Sequence, residues 1–97
     1  MNMRLYVVSY DIADDDRRND IADALLSYGR RLQYSVFECT LGETSFTKLR
    51  IQLDGLVHHS EDQVLFFDLG PLDGRAREAV TSLGKLYTLP KNDSVVI

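Results

Sequence analysis

An α+β domain with the element order β-α-β-β-α-β is the fold class that the sequence predicts, on three observations. A strand with two apolar faces opens the chain at Arg4 to Tyr10. Helical and strand-like periodicities then alternate, and the one segment that breaks the alternation, Arg31 to Leu41, reads as a hairpin. Ninety-seven residues suffice for one sheet covered by helices and are too few for two cores, so residues 1–97 are expected to form a single domain.

In the first strand Leu5, Val7 and Ser9 share one face and Tyr6, Val8 and Tyr10 the other, which places it in the middle of a sheet. A helix then starts around Asp14 to Asp16, where side-chain oxygens cap free amides and carboxylates sit at the positive end of the helix dipole. Ile21, Leu25 and Tyr28 recur at helical spacing beside Ala22 and Ala24, and Gly29 is expected to end the helix in a left-handed conformation.

Arg31 to Leu41 alternates Leu32, Tyr34 and Val36 against Gln33, Ser35, Phe37 and Cys39, a pattern open to one long strand or two short ones. One strand between two crossover helices generates a parallel sheet, whereas a reversal near Tyr34-Ser35 gives the ferredoxin-like order. Topology favours the reversal, although that turn contains no Gly, Asn or Pro.

The second helix is expected from Ser45 to His58, capped by Thr44, with Phe46, Leu49, Leu53 and Leu56 as its apolar stripe. Asp62 to Leu69 is strand-like and broken by Gly70-Pro71. A short helix over Arg75 to Leu83, ended by Gly84, precedes a strand at Lys85 to Leu89. After a turn, Ser94-Val95-Val96-Ile97 forms an apolar end. It is expected to add an extra strand to a sheet edge, across a homodimer in preference to its own sheet or to disorder.

No apolar run approaches the roughly 20 residues of a membrane span, and no signal peptide is evident. Cys39 stands alone, in keeping with a reducing, cytoplasmic compartment, and reads as an ordinary buried residue. A net charge of -4 argues weakly against nonspecific binding to phosphate backbones. Local distribution matters more: Asp11, Asp14, Asp15 and Asp16 are followed at once by Arg17 and Arg18, with Arg30 and Arg31 beyond the first helix.

Asp11, between a central strand and a helix, can turn its carboxylate to the open end of the sheet as a hard oxygen donor for magnesium or manganese. One carboxylate per chain is a poor metal site. A twofold axis nearby makes it a shared one, completed by water and substrate phosphate, where metal lowers the pKa of a water or stabilises charge on the phosphorane oxygens. The competing reading of Asp11 is a cap or turn residue, and that of Asp14 to Asp16 a solvated helix start. Arg17, Arg18, Arg30 and Arg31 suit phosphate, against a plain alternative of pairing with Asp20 and Asp23. His58 and His59 are adjacent and diverge on a helix. There is no glycine-rich phosphate loop, no Cys-x-x-Cys and no evident nucleophile with a base, which disfavours covalent hydrolysis. Tyr10, Tyr34 and Phe37 have rings able to stack on bases, but their strand positions favour packing.

Tyr10-Asp11-Ile12, Arg18 and then, one helix away, Gly29-Arg30-Arg31-Leu32-Gln33-Tyr34-Ser35-Val36-Phe37-Glu38-Cys39 closely resemble the small CRISPR-associated protein family that partners the spacer integrase in acquiring new spacers. The similarity continues through Asp62 to Gly70 and is least distinctive after Pro71. The resemblance implies a ferredoxin-like homodimer whose terminal strand crosses to its partner. It also implies a magnesium-dependent endonuclease acting on single-stranded RNA or double-stranded DNA. In that reading Asp11 is the catalytic metal ligand, Arg18 contacts phosphate, and Arg31 is the arginine of the Gly-x-Arg-x-Gln block. Gln33, Ser35 and Phe37 shape the hairpin and the floor of the site, while Arg30 and Leu32 fall at variable positions.

The family implies a second role too, a non-catalytic dimer that bridges integrase subunits and holds duplex DNA. A ferredoxin-like small-molecule-sensing domain is a third reading. The fold allows it, but it leaves the Arg-x-Gln-x-Ser-Val-Phe-Glu block unexplained.

Overall fold

The structure, a computed structural model, describes residues 2–89. In chain order it contains β1 (Arg4–Asp11), α1 (Asp15–Leu26), β2 (Gly29–Gln33), β3 (Val36–Leu41), α2 (Glu43–Asp54), β4 (Gln63–Pro71) and a 3-10 turn at Arg75–Glu78. The sheet order is β2-β3-β1-β4 with every neighbouring pair antiparallel, the ferredoxin-like arrangement expected. The terminal strand expected at 94–97 lies outside the described residues.

β1 is central because each of its apolar faces finds a cover. Tyr6, Val8 and Tyr10 join Ile21, Leu25, Phe37, Leu49 and Leu53 in the main core under the two helices. Tyr6 stacks on Phe46 with ring centroids 4.2 Å apart, and Phe66 meets Phe46 edge-on. Leu5, on the opposite face, packs with Leu72 and Ala76 in a small second core. No helix among the described residues is long and apolar enough to cross a membrane.

The hairpin reverses at Tyr34-Ser35 as expected, without a glycine. Among the described residues no non-glycine residue takes a positive φ, and a bulge between Arg31 and Gln33 absorbs the misfit between the turn and the strands' twist. Elsewhere the expected boundaries are corrected. α1 ends on Ser27, so Gly29 is not a left-handed cap but the first residue of β2. Its lack of a side chain serves close approach: a Cβ there would lie 2.0 Å from the Glu38 carbonyl oxygen.

α2 starts at Glu43 with Gly42, not Thr44, at its N-cap, and stops at Gly55, so Leu56 and Val57 reach the core from a turn. β4 runs through Gly70 and Pro71 because it pairs on only one side among the described residues, where a missing N–H costs nothing. The helix expected over 75–83 shrinks to one 3-10 turn, since only Ala76 is buried and Leu83 is 99% exposed, too little apolar cover to hold more turns.

The expected strand at 85–89 is absent. Side chains hold this segment instead: the Tyr87 hydroxyl donates to Glu38, and Arg30 donates to the Thr88 carbonyl. Arg30 Nε also donates to Glu38 Oε1 at 2.6 Å, satisfying a carboxylate whose side chain is only 1% exposed.

Candidate functional site

The carboxyl end of β1 delivers Asp11 to the rim of the sheet, exposed, between the hairpin turn on one side and Gln63 of β4 on the other. The turn is fastened to β1 twice. Tyr10 N donates to the Ser35 carbonyl at 3.1 Å and the Tyr10 hydroxyl to the Tyr34 carbonyl at 3.4 Å. Tyr10 itself is buried against Phe37, ring centroids 6.0 Å apart.

Above this end sits the first turn of α1. Asp14 is its N-cap, accepting from Arg17 N at 2.9 Å, which settles that aspartate as a capping residue. Arg18 is pinned at two points: Nη1 donates to Asp15 at 2.6 Å and Nη2 to the Ile12 carbonyl at 3.1 Å. Its pKa is raised above arginine's ordinary value, first by the Asp15 hydrogen bond and further by Tyr34. Tyr10, Asp11, Ile12, Arg18, Tyr34 and Ser35 line one shallow, open cleft of about 390 Å³.

Arg31 lies one step away on β2. Paired opposite Phe37, it lays its guanidinium carbon 5.0 Å from that ring's centroid and 5.9 Å from that of Tyr34. Asp11 and Arg18 are therefore brought into one cleft, and Arg31 reaches it through Tyr34. Arg30 points to the other face of the sheet and pairs with Glu38.

Three settings go beyond the sequence reading. Arg17 pairs not with Asp20 but with Asp62, 45 residues away, Nε to Oδ2 at 2.7 Å, and with Glu61. The Asp62 side chain is wholly covered and also accepts from Ala13 N at 2.9 Å and His58 N at 2.8 Å, tying the loop after Asp11 to the loop before β4. The Arg17 hydrogen bond first, then the two backbone donors, hold this carboxyl well below the usual range, against the opposing effect of burial. Tyr34 is the second, 71% exposed although its strand-like setting suggested packing. Glu38, the acid closing the motif block, is the third; its buried setting had no signal beyond that block. His58 and His59 diverge as expected, His59 to Asp54 and His58 to Ser60.

Among the described residues no three His, Cys, Asp or Glu side chains gather as a metal site. Asp11 is the one carboxylate in the lining of this cleft, a donor of the kind magnesium takes, since that ion keeps several waters and binds one or two carboxylates plus substrate phosphate.

A family model described as CRISPR associated protein Cas2 matches residues 3–77. A Synechocystis protein named CRISPR-associated endoribonuclease Cas2 3 is 41% identical over 95 residues, covering 98% of this chain and 100% of its own. Among solved structures, a hypothetical protein from Thermus thermophilus aligns with a TM-score of 0.74 at 40% identity, over 89% of this chain and 96% of that one. A chain of a partial Cas6-RT-Cas1–Cas2 complex aligns with a TM-score of 0.61 at 26% identity, over 68% and 78%. With Tyr10, Asp11, Ile12, Arg18, Tyr34 and Ser35 of the motif assembled around one cleft, and with these matches, the chain belongs to the CRISPR-associated protein Cas2 family.

Proposed function

We propose that this chain is a metal-dependent endonuclease of CRISPR spacer acquisition, a single domain over residues 1–97 working as a cytoplasmic homodimer in which the two Asp11 carboxylates share a magnesium or manganese ion. The observation that carries the proposal is the convergence of Asp11 and Arg18 on one cleft at the carboxyl end of the central strand. The endoribonuclease name of the Synechocystis relative supports it.

Magnesium, when bound, supplies Lewis acidity at a phosphate oxygen and a polarised water. The chain's own residues do the rest. Arg18, already fixed by Ile12, presents an oriented guanidinium, and its bond to the exposed Asp15 is the one that a substrate phosphate replaces. Arg31, steadied on Phe37, supplies a second guanidinium from the hairpin side. Hydrolysis adds water across one P–O bond of single-stranded RNA or duplex DNA, leaving a phosphate on one fragment and a hydroxyl on the other.

Magnesium-dependent cleavage of labelled single-stranded RNA and short duplex DNA by wild type and Asp11→Asn, purified in parallel, tests this. Asp11→Asn is expected to abolish cleavage and keep the dimer; undiminished cleavage refutes the assignment.

A second reading is favoured by the lone carboxylate of the cleft and by the likeness to a chain of a Cas1–Cas2 complex: a dimer that bridges integrase subunits and holds duplex DNA without catalysis. Sedimentation with the cognate integrase checks it, and no complex at micromolar concentration removes its main support.

A further inference from the structure

We propose that Tyr34 is a stacking platform for an unpaired nucleobase at the mouth of the Asp11 cleft, so that this site takes single-stranded nucleic acid in preference to continuous duplex. The inference deepens the endonuclease reading and rests on the cleft receiving a phosphodiester.

An exposed aromatic ring is unremarkable by itself. Tyr34 differs in its setting. It occupies a two-residue reversal, where Gly or Asn is the usual choice, yet it carries a large ring left 71% exposed. Its backbone is held to the central strand by the Tyr10 hydroxyl, so the ring stands on a fixed base.

Two guanidiniums border it. Arg31 lies 5.9 Å from the ring centroid, and Arg18 lines the same cleft as Tyr34. A phosphate held by either arginine leaves its own base one sugar away, within reach of the Tyr34 ring.

The other aromatic residues at this end, Tyr10 and Phe37, are 6% and 0% exposed and have no face to offer. The chain's net charge of -4 gives little general pull on a phosphate backbone, which makes a charge-independent contact weigh more. Stacking needs a bare π-face. In continuous duplex the neighbouring pairs cover both faces of each base, whereas single strands and frayed ends expose them.

The test is equilibrium binding by fluorescence anisotropy of short labelled single-stranded RNA, single-stranded DNA and blunt duplex, in EDTA so that nothing is cleaved. Tyr34→Ala is expected to weaken single-strand binding on the order of 5- to 100-fold, with a much smaller change for duplex, and Tyr34→Phe to restore most of the loss. The chain has no tryptophan, so the Tyr34→Trp variant adds a clean reporter whose emission is expected to quench on adding single strand. Thermal melts establish that each variant is folded, as expected for so exposed a side chain.

Unchanged single-strand binding by Tyr34→Ala, an equal loss for duplex, or a Phe variant as weak as the Ala variant overturns the inference. Asp11→Asn is titrated alongside. Should it cleave like wild type, the metal assignment falls while the binding data still decide Tyr34; should it be inactive with single-strand binding indifferent to Tyr34, only the stacking role falls.

Discussion

Replacing Gly29 with alanine puts a methyl group where the ladder has no room. Gly29 stands opposite Cys39 in the β2–β3 pairing, and a Cβ on it falls 2.0 Å from the Glu38 carbonyl oxygen and 2.9 Å from Cys39 Cα. Both are backbone atoms. β3 cannot retreat, because β1 holds it from the far side, with Val7 opposite Glu38 and Tyr6 opposite Cys39. β2 is an edge strand and has to swing away. Overpacking of this kind costs typically about 1–3 kcal/mol. Loosening Arg30 from the buried Glu38 carboxylate adds about 1–3 kcal/mol. The stiffer unfolded chain returns only about 0.4–1 kcal/mol. The net loss is about 3 kcal/mol, and at roughly 4–8 °C per kcal/mol for a domain of this size the melting temperature drops by about 12–24 °C. Thermal melts followed by circular dichroism measure it. A melting temperature within about 2 °C of wild type, or a rise, refutes the close-approach account of Gly29.

Two further outcomes follow from the buried acid and the lone thiol. Asp62 has a folded-state pKa below its unfolded value near 3.9, so its pairing stabilises the fold above that pH and the contribution is lost as pH falls through the acid range; Asp62→Asn is expected to melt lower at neutral pH and to show a shallower fall in melting temperature below about pH 4, and an acid limb parallel to that of wild type refutes the pairing. The Cys39 thiol is pushed up to about 11 by burial and then by Glu38, so alkylation at about pH 8 is expected to be slow in the native protein and complete in denaturant, and equal rates contradict its burial.

The sheet and both helices were legible because their apolar residues recur with clean periods: Tyr6, Val8 and Tyr10 at two, and Ile21 and Leu25, then Leu49 and Leu53, at helical spacing. Asp11 and Arg18 were legible for a related reason, since a strand end and the first turn of the following helix are close in sequence as well as in space. The glycines were not. Gly29 gives the same signal whether it ends a helix or lets two backbones meet, and only the register against Cys39 decides. Asp62 had no local pattern because its partners, Arg17 and Ala13, lie across the chain. The segment after Gly84 misled because side-chain hydrogen bonds from Tyr87 and to Thr88, rather than a ladder, fix it, and such bonds leave no period in the sequence. Tyr34 was ambiguous for the opposite reason. Strand alternation placed it plausibly in a core, and only the position of the turn puts it outside.

The first strand's central place also sets the order in which the molecule assembles. The β2–β3 hairpin is local and can close early, but β1 faces β4 across more than half the chain, with Arg4 opposite Pro71 and Asp11 opposite Gln63. Loop-closure entropy grows slowly, about 0.6 kcal/mol per doubling, yet it has to be met before any contact rewards it. Docking of β4 against β1 is therefore expected to be the slow event in folding, with mutations in that pairing acting on the folding rate more than those in the hairpin. The first strand made is among the last to be fully paired.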